Sequence, residues 1–142
     1  MVLIAQVAGA LYGLLAIIFG AFGAHALKKS FSEEQLKSFE TGVKYQMYHA
    51  IVLVMLGFNF NLNTSLEKYM IYCFIIGTFL FSFSIYGLTL SARNSSDRVH
   101  EDAGTSAERG KWKFLGPITP IGGLLLFAGW ALLLYQFIGR YF

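Results

Sequence analysis

The chain has 142 residues, of which 56% are hydrophobic and only 13% are charged. Soluble domains are about 45–50% apolar and roughly 25% charged, so this composition excludes an ordinary soluble domain and indicates one membrane-embedded unit. The net charge of +3 is therefore taken to reflect how the chain is oriented in the membrane, and not as a sign of nucleic-acid binding. The single cysteine, Cys73, excludes an intramolecular disulfide and a metal site built on cysteines.

Four uncharged stretches each hold the ~20 apolar residues that a helix needs to cross a hydrocarbon core of about 30 Å. They are residues 2–27, 45–66, 69–92 and 114–139. We therefore predict an all-α, four-helix transmembrane bundle in a single domain over 1–142, with spans at about 3–27, 43–62, 69–91 and 115–138. The first stretch lacks a basic leading region and is longer than the 7–15 apolar residues of a signal peptide, so we expect it to be retained.

Small residues mark one face of the first predicted span. Gly9, Gly13, Gly20 and Ala24 follow one another at spacings of four and seven residues. Helices in lipid associate by close backbone approach, which small side chains allow. We predict a helix-packing face here, and self-association through it is the leading functional hypothesis. The alternative is that glycine and alanine are simply common in membrane helices.

The segment SFSEEQLKSFETG connects the first two spans. Ser32 and Gln35 form a capping-box pattern, and apolar residues follow at helical spacing as far as Val43. This pattern predicts a short amphipathic helix on the cytoplasmic surface that runs into the second span, with a break expected at Gly42. A solvated connector is the alternative.

The fourth span begins with GPITPIGG, in which neither proline can donate a backbone hydrogen bond. Proline is tolerated in the first turn of a helix, so we expect the regular helix to start near Pro120 and residues 114–119 to be irregular. The preceding stretch, 92–113, mixes both charges with serine and glycine and has no apolar periodicity. A flexible polar loop is predicted there.

The basic residues predict the orientation of the bundle. Nine of the eleven Lys and Arg residues lie in the loops 28–44 and 93–113. Because cytoplasmic loops carry the excess of Lys and Arg, these two loops are expected in the cytoplasm. Both termini and the short 62–68 turn are then expected on the opposite side of the membrane.

Three strings in the sequence, GAFGAHALK, FETGVKYQMYHA and GPITPIGG followed by GW, occur together in this order. In these strings the chain resembles the small bacterial inner-membrane proteins of domain-of-unknown-function family 423. The resemblance covers roughly residues 4–135 and implies a four-helix integral membrane protein, with no established activity or site residue to carry over. The relatives join their third and fourth spans by a short linker, whereas about twenty polar residues near 92–111 stand here.

Polar side chains recur in the half of the predicted bundle that faces the cytoplasm. The chain reverses direction between the first two spans. His25, near the end of the first span, and His49, near the start of the second, are therefore expected at similar depth in the membrane. Residues three and four apart share a helix face, so Tyr45 and Gln46 are expected on the same face as His49. The predicted intramembrane cluster comprises His25, Tyr45, Gln46, His49 and Thr119.

Three interpretations of this cluster are open. Neutral histidines and Gln46 would hold helices together by hydrogen bonds. Because histidine titrates near neutral pH, the cluster would instead line a proton or small-solute pathway. Two histidines would also serve as axial haem ligands or as part of a metal site, although no third strong ligand is evident.

Catalytic patterns are weak in this sequence. There is no nucleophile beside a base and no pair of carboxylates within a span. The glycine-rich FGAFGAHA lies within an apolar helix and not after a strand, which excludes a dinucleotide loop. We predict a non-enzymatic membrane protein without cofactor or metal. Its expected partners are the lipid bilayer and a second copy of the chain, not nucleic acid, and the sequence specifies no small-molecule ligand.

Overall fold

The computed structural model describes residues 1–97 and 115–141, and every regular element within them is helical. The helices are α1 (Val2–His25), α2 (Glu33–Asn59), α3 (Ser65–Asp97) and α4 (Leu115–Tyr141), with a 3-10 turn over Leu27–Lys29. The predicted all-α fold is confirmed. Three segments are long and apolar enough to cross a membrane, namely Val2–Lys29, Ser65–Ser91 and Leu115–Gly139.

Helix α2 joins the predicted amphipathic segment to the predicted second span without the break expected at Gly42. It runs without interruption from Glu33 to Asn59 and begins at the predicted capping box. The Ser32 Oγ accepts from the Gln35 backbone N–H at 3.2 Å, and the Gln35 side chain accepts from the Ser32 N–H at 2.9 Å. A Cβ on Gly42 would lie 2.7 Å from the Tyr86 ring, so this glycine allows close packing on α3 and does not end a helix.

The start of α4 corrects the predicted irregular segment. The helix begins at Leu115 and contains Pro120 in its interior. Pro117 lies in the first turn of the described part of α4, and proline is tolerated in the first turn of a helix. Pro120 removes only the bond to the carbonyl four residues earlier. Residue 114 and most of the predicted polar loop, 98–113, lie outside the described residues, whereas 92–97 continue α3.

The helices pack as two pairs that are joined through the middle of the bundle. Helix α1 lies against α2 and α3 against α4, while α2 and α3 form the contact between the pairs. The larger core cluster includes the fully buried Leu53, Met70, Ile71 and Phe74. A smaller cluster of Leu27, Phe39 and Tyr86 lies near the 3-10 turn.

A second capping box starts α3, in the predicted 62–68 turn. The Glu67 carboxylate accepts from the backbone N–H groups of Asn63 and Thr64 at 2.9 and 3.0 Å. The Thr64 Oγ1 accepts in return from the Glu67 N–H at 3.2 Å. The preceding Leu62 is buried and has a φ of 53°, a left-handed conformation that is uncommon for a residue with a side chain.

The outer surface of the bundle is apolar over most of its length. Phe58, Phe127 and Leu3 are among many large hydrophobic side chains that are exposed, with exposed fractions of 76%, 74% and 70%. Soluble monomers rarely show contiguous apolar surface of this extent. The surface is that of a protein surrounded by lipid.

Candidate functional site

Gln46 joins three helices from the centre of the bundle. Its side chain is fully buried. The Nε2 donates to the backbone carbonyl of Tyr12 on α1 at 2.9 Å, and the Oε1 accepts from the Tyr86 hydroxyl on α3 at 2.9 Å. The Tyr12 hydroxyl in turn donates to the Ile75 carbonyl on α3 at 2.9 Å. These buried polar groups satisfy one another across α1, α2 and α3.

His49 connects α2 to α4, and its partners define its tautomer. The Nδ1 lies 2.7 Å from the Tyr45 carbonyl oxygen, and the Trp130 indole N–H donates to the Nε2 at 3.2 Å. An indole nitrogen can only donate and a carbonyl oxygen can only accept. The Nε2 is therefore the unprotonated nitrogen and the Nδ1 carries the proton. In this arrangement His49 is neutral, and its one lone pair is already used.

Aromatic rings enclose the His49 imidazole on several sides. The ring centroids of Phe74 and Trp130 lie 5.8 and 6.3 Å from it, and these two rings pack edge-on at 5.6 Å. Tyr45 stacks on the imidazole at 6.2 Å and also contacts Phe81. The histidine therefore lies in a packed aromatic layer between α2, α3 and α4.

Thr119 belongs to a third contact, between α3 and α4. Its Oγ1 lies 2.7 Å from the Ser84 Oγ, which also donates to the Phe81 carbonyl at 2.9 Å. Because the single Ser84 proton is used on that carbonyl, the Thr119 hydroxyl is the donor between the two side chains. This contact ties the first turns of α4 to α3.

The five residues of the predicted polar cluster are therefore distributed over separate places. Gln46, His49 and Thr119 each enter a different interhelical contact, and Tyr45 adds its carbonyl and ring to His49 while its side chain is 43% exposed. His25 is exposed at the last residue of α1. The structure brings Tyr45 and His49 into contact and does not place His25 with them.

Sequence reasoning missed the partners Tyr12, Tyr86, Trp130 and Ser84. A signal for the first three was present, because a tyrosine hydroxyl or an indole N–H in the middle of a span needs a hydrogen-bond partner once buried. Two more buried hydroxyls, Thr78 Oγ1 and Ser82 Oγ, have no partner among the described residues. Over the same part of the chain, no group of three or more His, Cys, Asp or Glu side chains is arranged to hold a metal.

The predicted packing face of α1 lies mainly against α2 of the same chain. A Cβ on Gly9 would lie 2.8 Å from the Ala50 carbonyl oxygen and 2.9 Å from the Val54 nitrogen. Gly13 and Gly20 have more room, since their nearest neighbours would be 3.8 and 3.5 Å away, and Ala24 is exposed. Close intrachain approach thus explains Gly9, and self-association through this face stays a prediction.

Replacing His49 with alanine is expected to lower the free energy of unfolding by about 2 kcal/mol, because the substitution removes the bridge to α4 and leaves the indole N–H unpaired. Trp130→Phe removes the donor alone and should cost about 0.6–2 kcal/mol. The measurement is thermal or denaturant unfolding in mild detergent, followed by circular dichroism. His25→Ala is the matched control and should leave stability unchanged. Equal effects of the two histidine substitutions would contradict a structural role specific to His49.

Comparison with known proteins places this bundle among membrane proteins of similar length. A family model described as a protein of unknown function, DUF423, matches residues 19–123. The chain is 32% identical over 134 residues to a UPF0382 membrane protein of Staphylococcus haemolyticus, which covers 92% of this chain and 94% of the relative. It is 35% identical over 126 residues to a UPF0382 membrane protein of Schizosaccharomyces pombe, with coverages of 88% and 93%.

The UPF0382 inner membrane protein YgdD of Escherichia coli K12 is 32% identical over 126 residues, with coverages of 88% and 82%. No solved structure matches the chain. The membrane location indicated by composition is confirmed by these relatives and by the three helices that are long and apolar enough to cross a bilayer. The resemblance seen in the three strings is confirmed as well: the chain belongs to the DUF423 family of membrane proteins.

Proposed function

We propose that the chain is a non-enzymatic, four-span structural component of the membrane that acts through its lipid-facing surface. The observation that carries this proposal is the bonding of Gln46 and His49. Both side chains use their polar atoms to hold helices together. Because the interior polar groups are used in bonds between helices, they make the bundle rigid. The outer surface is then the part available for contacts with lipid or with a partner in the bilayer.

The proposal requires α2 to cross the membrane, although its composition is less apolar than that of the other three helices. Lys44, Gln46 and His49 lower its hydropathy, yet the last two are buried and bonded inside the bundle. The outward side of α2 carries Ile51, Phe58 and other exposed apolar residues. The uncharged part of α2, residues 45–59, is about 22 Å long. The uncharged residues 60–66 that follow it extend the crossing toward the roughly 30 Å of the hydrocarbon core.

Four crossings would place the two ends of the bundle on opposite sides of the membrane. The 3-10 turn Leu27–Lys29 and the α3 and α4 ends that flank 98–114 share one end of the bundle. The positive-inside rule favours this end for the cytoplasm and places both termini outside.

A proton or solute pathway is the alternative, and the geometry gives it less support. A relay needs a histidine nitrogen that is free to take up and release a proton, whereas both nitrogens of His49 are engaged. His25 lies exposed at the end of α1 and is not beside His49. Axial haem ligation by His25 and His49 is disfavoured for the same two reasons: both nitrogens of His49 are engaged, and His25 is not beside it.

Single-cysteine labelling tests the proposed arrangement. In a Cys73→Ser background, Asn61→Cys and Ser30→Cys introduce thiols at exposed positions on either end of α2. In intact cells, a membrane-impermeant maleimide is expected to label Asn61→Cys at once and Ser30→Cys only after permeabilisation. The unlabelled Cys73→Ser protein is the control. Labelling of both thiols from the same side would mean that α2 lies along the membrane, and the four-span proposal would fail.

The structural role is tested with the wild-type chain in proteoliposomes. Decay of an imposed pH gradient should match that of empty vesicles, and His49→Ala should change nothing in this assay. If the pH gradient decays faster with the wild type than in empty vesicles and His49→Ala abolishes the difference, the proton pathway is supported and the structural role is rejected.

A further inference from the structure

Two open pockets lie one after the other along the seam between α1 and α2 on the outer surface of the bundle, and we treat them as two parts of one groove. Its larger part has a volume of about 240 Å³, and its walls include Gly13 on α1 and Met47, Ile51 and Met55 on α2. A smaller part of about 100 Å³ lies nearer the 3-10 turn. It is lined by Gly20, Gly23 and Ala24 on one side and by Phe39, Glu40, Val43 and Lys44 on the other. We call these two parts together the α1–α2 groove.

The groove exists because one wall carries almost no side chains. At Gly13 the nearest neighbour of an added Cβ would be the Ala50 Cβ at 3.8 Å, and at Gly20 it would be the Val43 Cγ1 at 3.5 Å. Both distances are ordinary van der Waals contacts, so a side chain would fit at either position. The backbones approach closely at Gly9, which itself lines the larger part of the groove. Gly23 is also close-packed, because an added Cβ would lie 3.1 Å from the Phe39 ring. The space that packing within the chain does not need is therefore at Gly13 and Gly20.

The depth of the groove corresponds to one leaflet of a bilayer. Lys44 and Val54 are ten residues apart on α2, a distance of about 15 Å along the helix. The acyl chains of one leaflet occupy half of a hydrocarbon core of roughly 30 Å. The apolar part of the groove lies within this interval and ends near Met55.

The mouth of the groove carries one glutamate and one lysine, with two further lysines nearby. Lys44 lines the smaller part, and Lys28 and Lys29 follow Ala24 in the exposed 3-10 turn. The Glu40 carboxylate pairs with the Lys44 ammonium at 3.5 Å, and both side chains are more than half exposed. Exposed pairs of this kind contribute little free energy, so Lys44 remains available to a stronger anion.

We propose that the α1–α2 groove binds one anionic phospholipid of the leaflet that faces Lys44, with an acyl chain over Gly13 and the phosphate at Lys44. This inference rests on the membrane-crossing α2 proposed above. Basic pockets between helices on the cytoplasmic side recognise anionic headgroups. A second copy of the chain is the competing occupant, since Glu40 and Lys44 of two copies would meet at the same end, and the test below distinguishes it from a lipid.

The test measures lipid binding to the purified full-length chain in mild detergent by native mass spectrometry, with phosphatidylglycerol and phosphatidylcholine of identical acyl chains. The wild type is expected to retain one phosphatidylglycerol in preference to phosphatidylcholine. Lys44→Gln should weaken phosphatidylglycerol binding about fivefold, the equivalent of about 1 kcal/mol per lysine at a membrane surface. Gly13→Leu fills the apolar part of the groove and should abolish retention of the lipid.

Two matched controls isolate the site. Lys68→Gln removes an exposed lysine at the opposite end of the bundle, and Ala21→Leu adds the same bulk at an exposed position of α1 outside the groove. Both should bind phosphatidylglycerol as the wild type does. Lys44→Gln changes an exposed side chain, so its result decides the headgroup site even if Gly13→Leu does not fold.

Three results would overturn the inference. They are equal retention of both lipids by the wild type, unchanged binding by Lys44→Gln, and a wild-type dimer that Gly13→Leu dissociates, which would assign the groove to a second copy. These results are independent of the cysteine-labelling experiment. If labelling confirms that α2 crosses and no lipid is retained, the lipid site fails and the four-span proposal stands.

Discussion

Gly122→Ala is expected to destabilise the bundle by about 1–3 kcal/mol, because the added methyl group has no space between α3 and α4. A Cβ at this position would fall against the Phe81 backbone, 2.8 Å from its Cα and 3.0 Å from the Leu80 carbonyl carbon. Backbone atoms cannot rotate away as a side chain can, so the two helices must separate. The measurement is the free energy of unfolding in detergent or bicelles.

The neighbouring Gly123 provides a matched control. A Cβ there would lie 3.8 Å from the Phe81 ring, which is ordinary contact. Alanine favours a helix over glycine by about 1 kcal/mol, so Gly123→Ala should be neutral or stabilising. Both variants gain the same helix propensity, and the difference between them therefore isolates the close approach of α4 to α3. Equal stabilities of the two variants would show that the helices are not held at this separation.

Gln46→Leu is expected to cost about 1–2 kcal/mol, although leucine has a similar volume and suits an apolar interior. The substitution removes the acceptor of the Tyr86 hydroxyl, which is buried, and the donor to the Tyr12 carbonyl. The penalty arises mainly from the unpaired hydroxyl group. Equilibrium unfolding of the purified protein measures it.

A double-mutant cycle separates the hydrogen bond from general packing. Tyr86→Phe alone leaves the Gln46 Oε1 without its donor and should also destabilise. The double variant Gln46→Leu/Tyr86→Phe removes both partners, so it should lose less than the two single variants together. Tyr48→Phe, at an exposed tyrosine of the same helix, should have no effect. Strict additivity of the two substitutions would contradict a direct bond between these side chains.

The fold class followed from local properties of the sequence. A long uncharged stretch is stable in lipid as a helix, because there each backbone N–H and C=O finds a hydrogen-bond partner within the segment. The capping box at Ser32 and Gln35 was predicted for the same reason, because its two hydrogen bonds join residues three apart. The family was likewise identified from three contiguous strings of the chain and confirmed by the family model.

Mean hydropathy does not describe a polar residue whose hydrogen-bonding atoms are satisfied by a distant partner. Gln46 and His49 lower the mean hydropathy of α2, which is not among the described segments that are apolar enough to cross a membrane. The uncharged stretch 45–66 nevertheless predicts a span there, and that span stays a prediction. The partners of the two polar side chains, Tyr12, Tyr86 and Trp130, come from three other helices. Helical periodicity indicates which residues share a face, but it does not tell which neighbouring helix that face meets.

The glycines show the same division. Their spacing in α1 indicated a packing face, because a period of 3.6 residues is a property of the helix itself. Whether Gly9 approaches another copy or the same chain, and why Gly42 and Gly122 must lack a side chain while Gly13 need not, depends on how far apart two helices lie. The sequence therefore determined the elements and their faces. The polar contacts and the groove depend on how each helix is rotated about its axis, how far it is shifted along its neighbours and how closely it approaches them. These relations exist only once all four helices pack together.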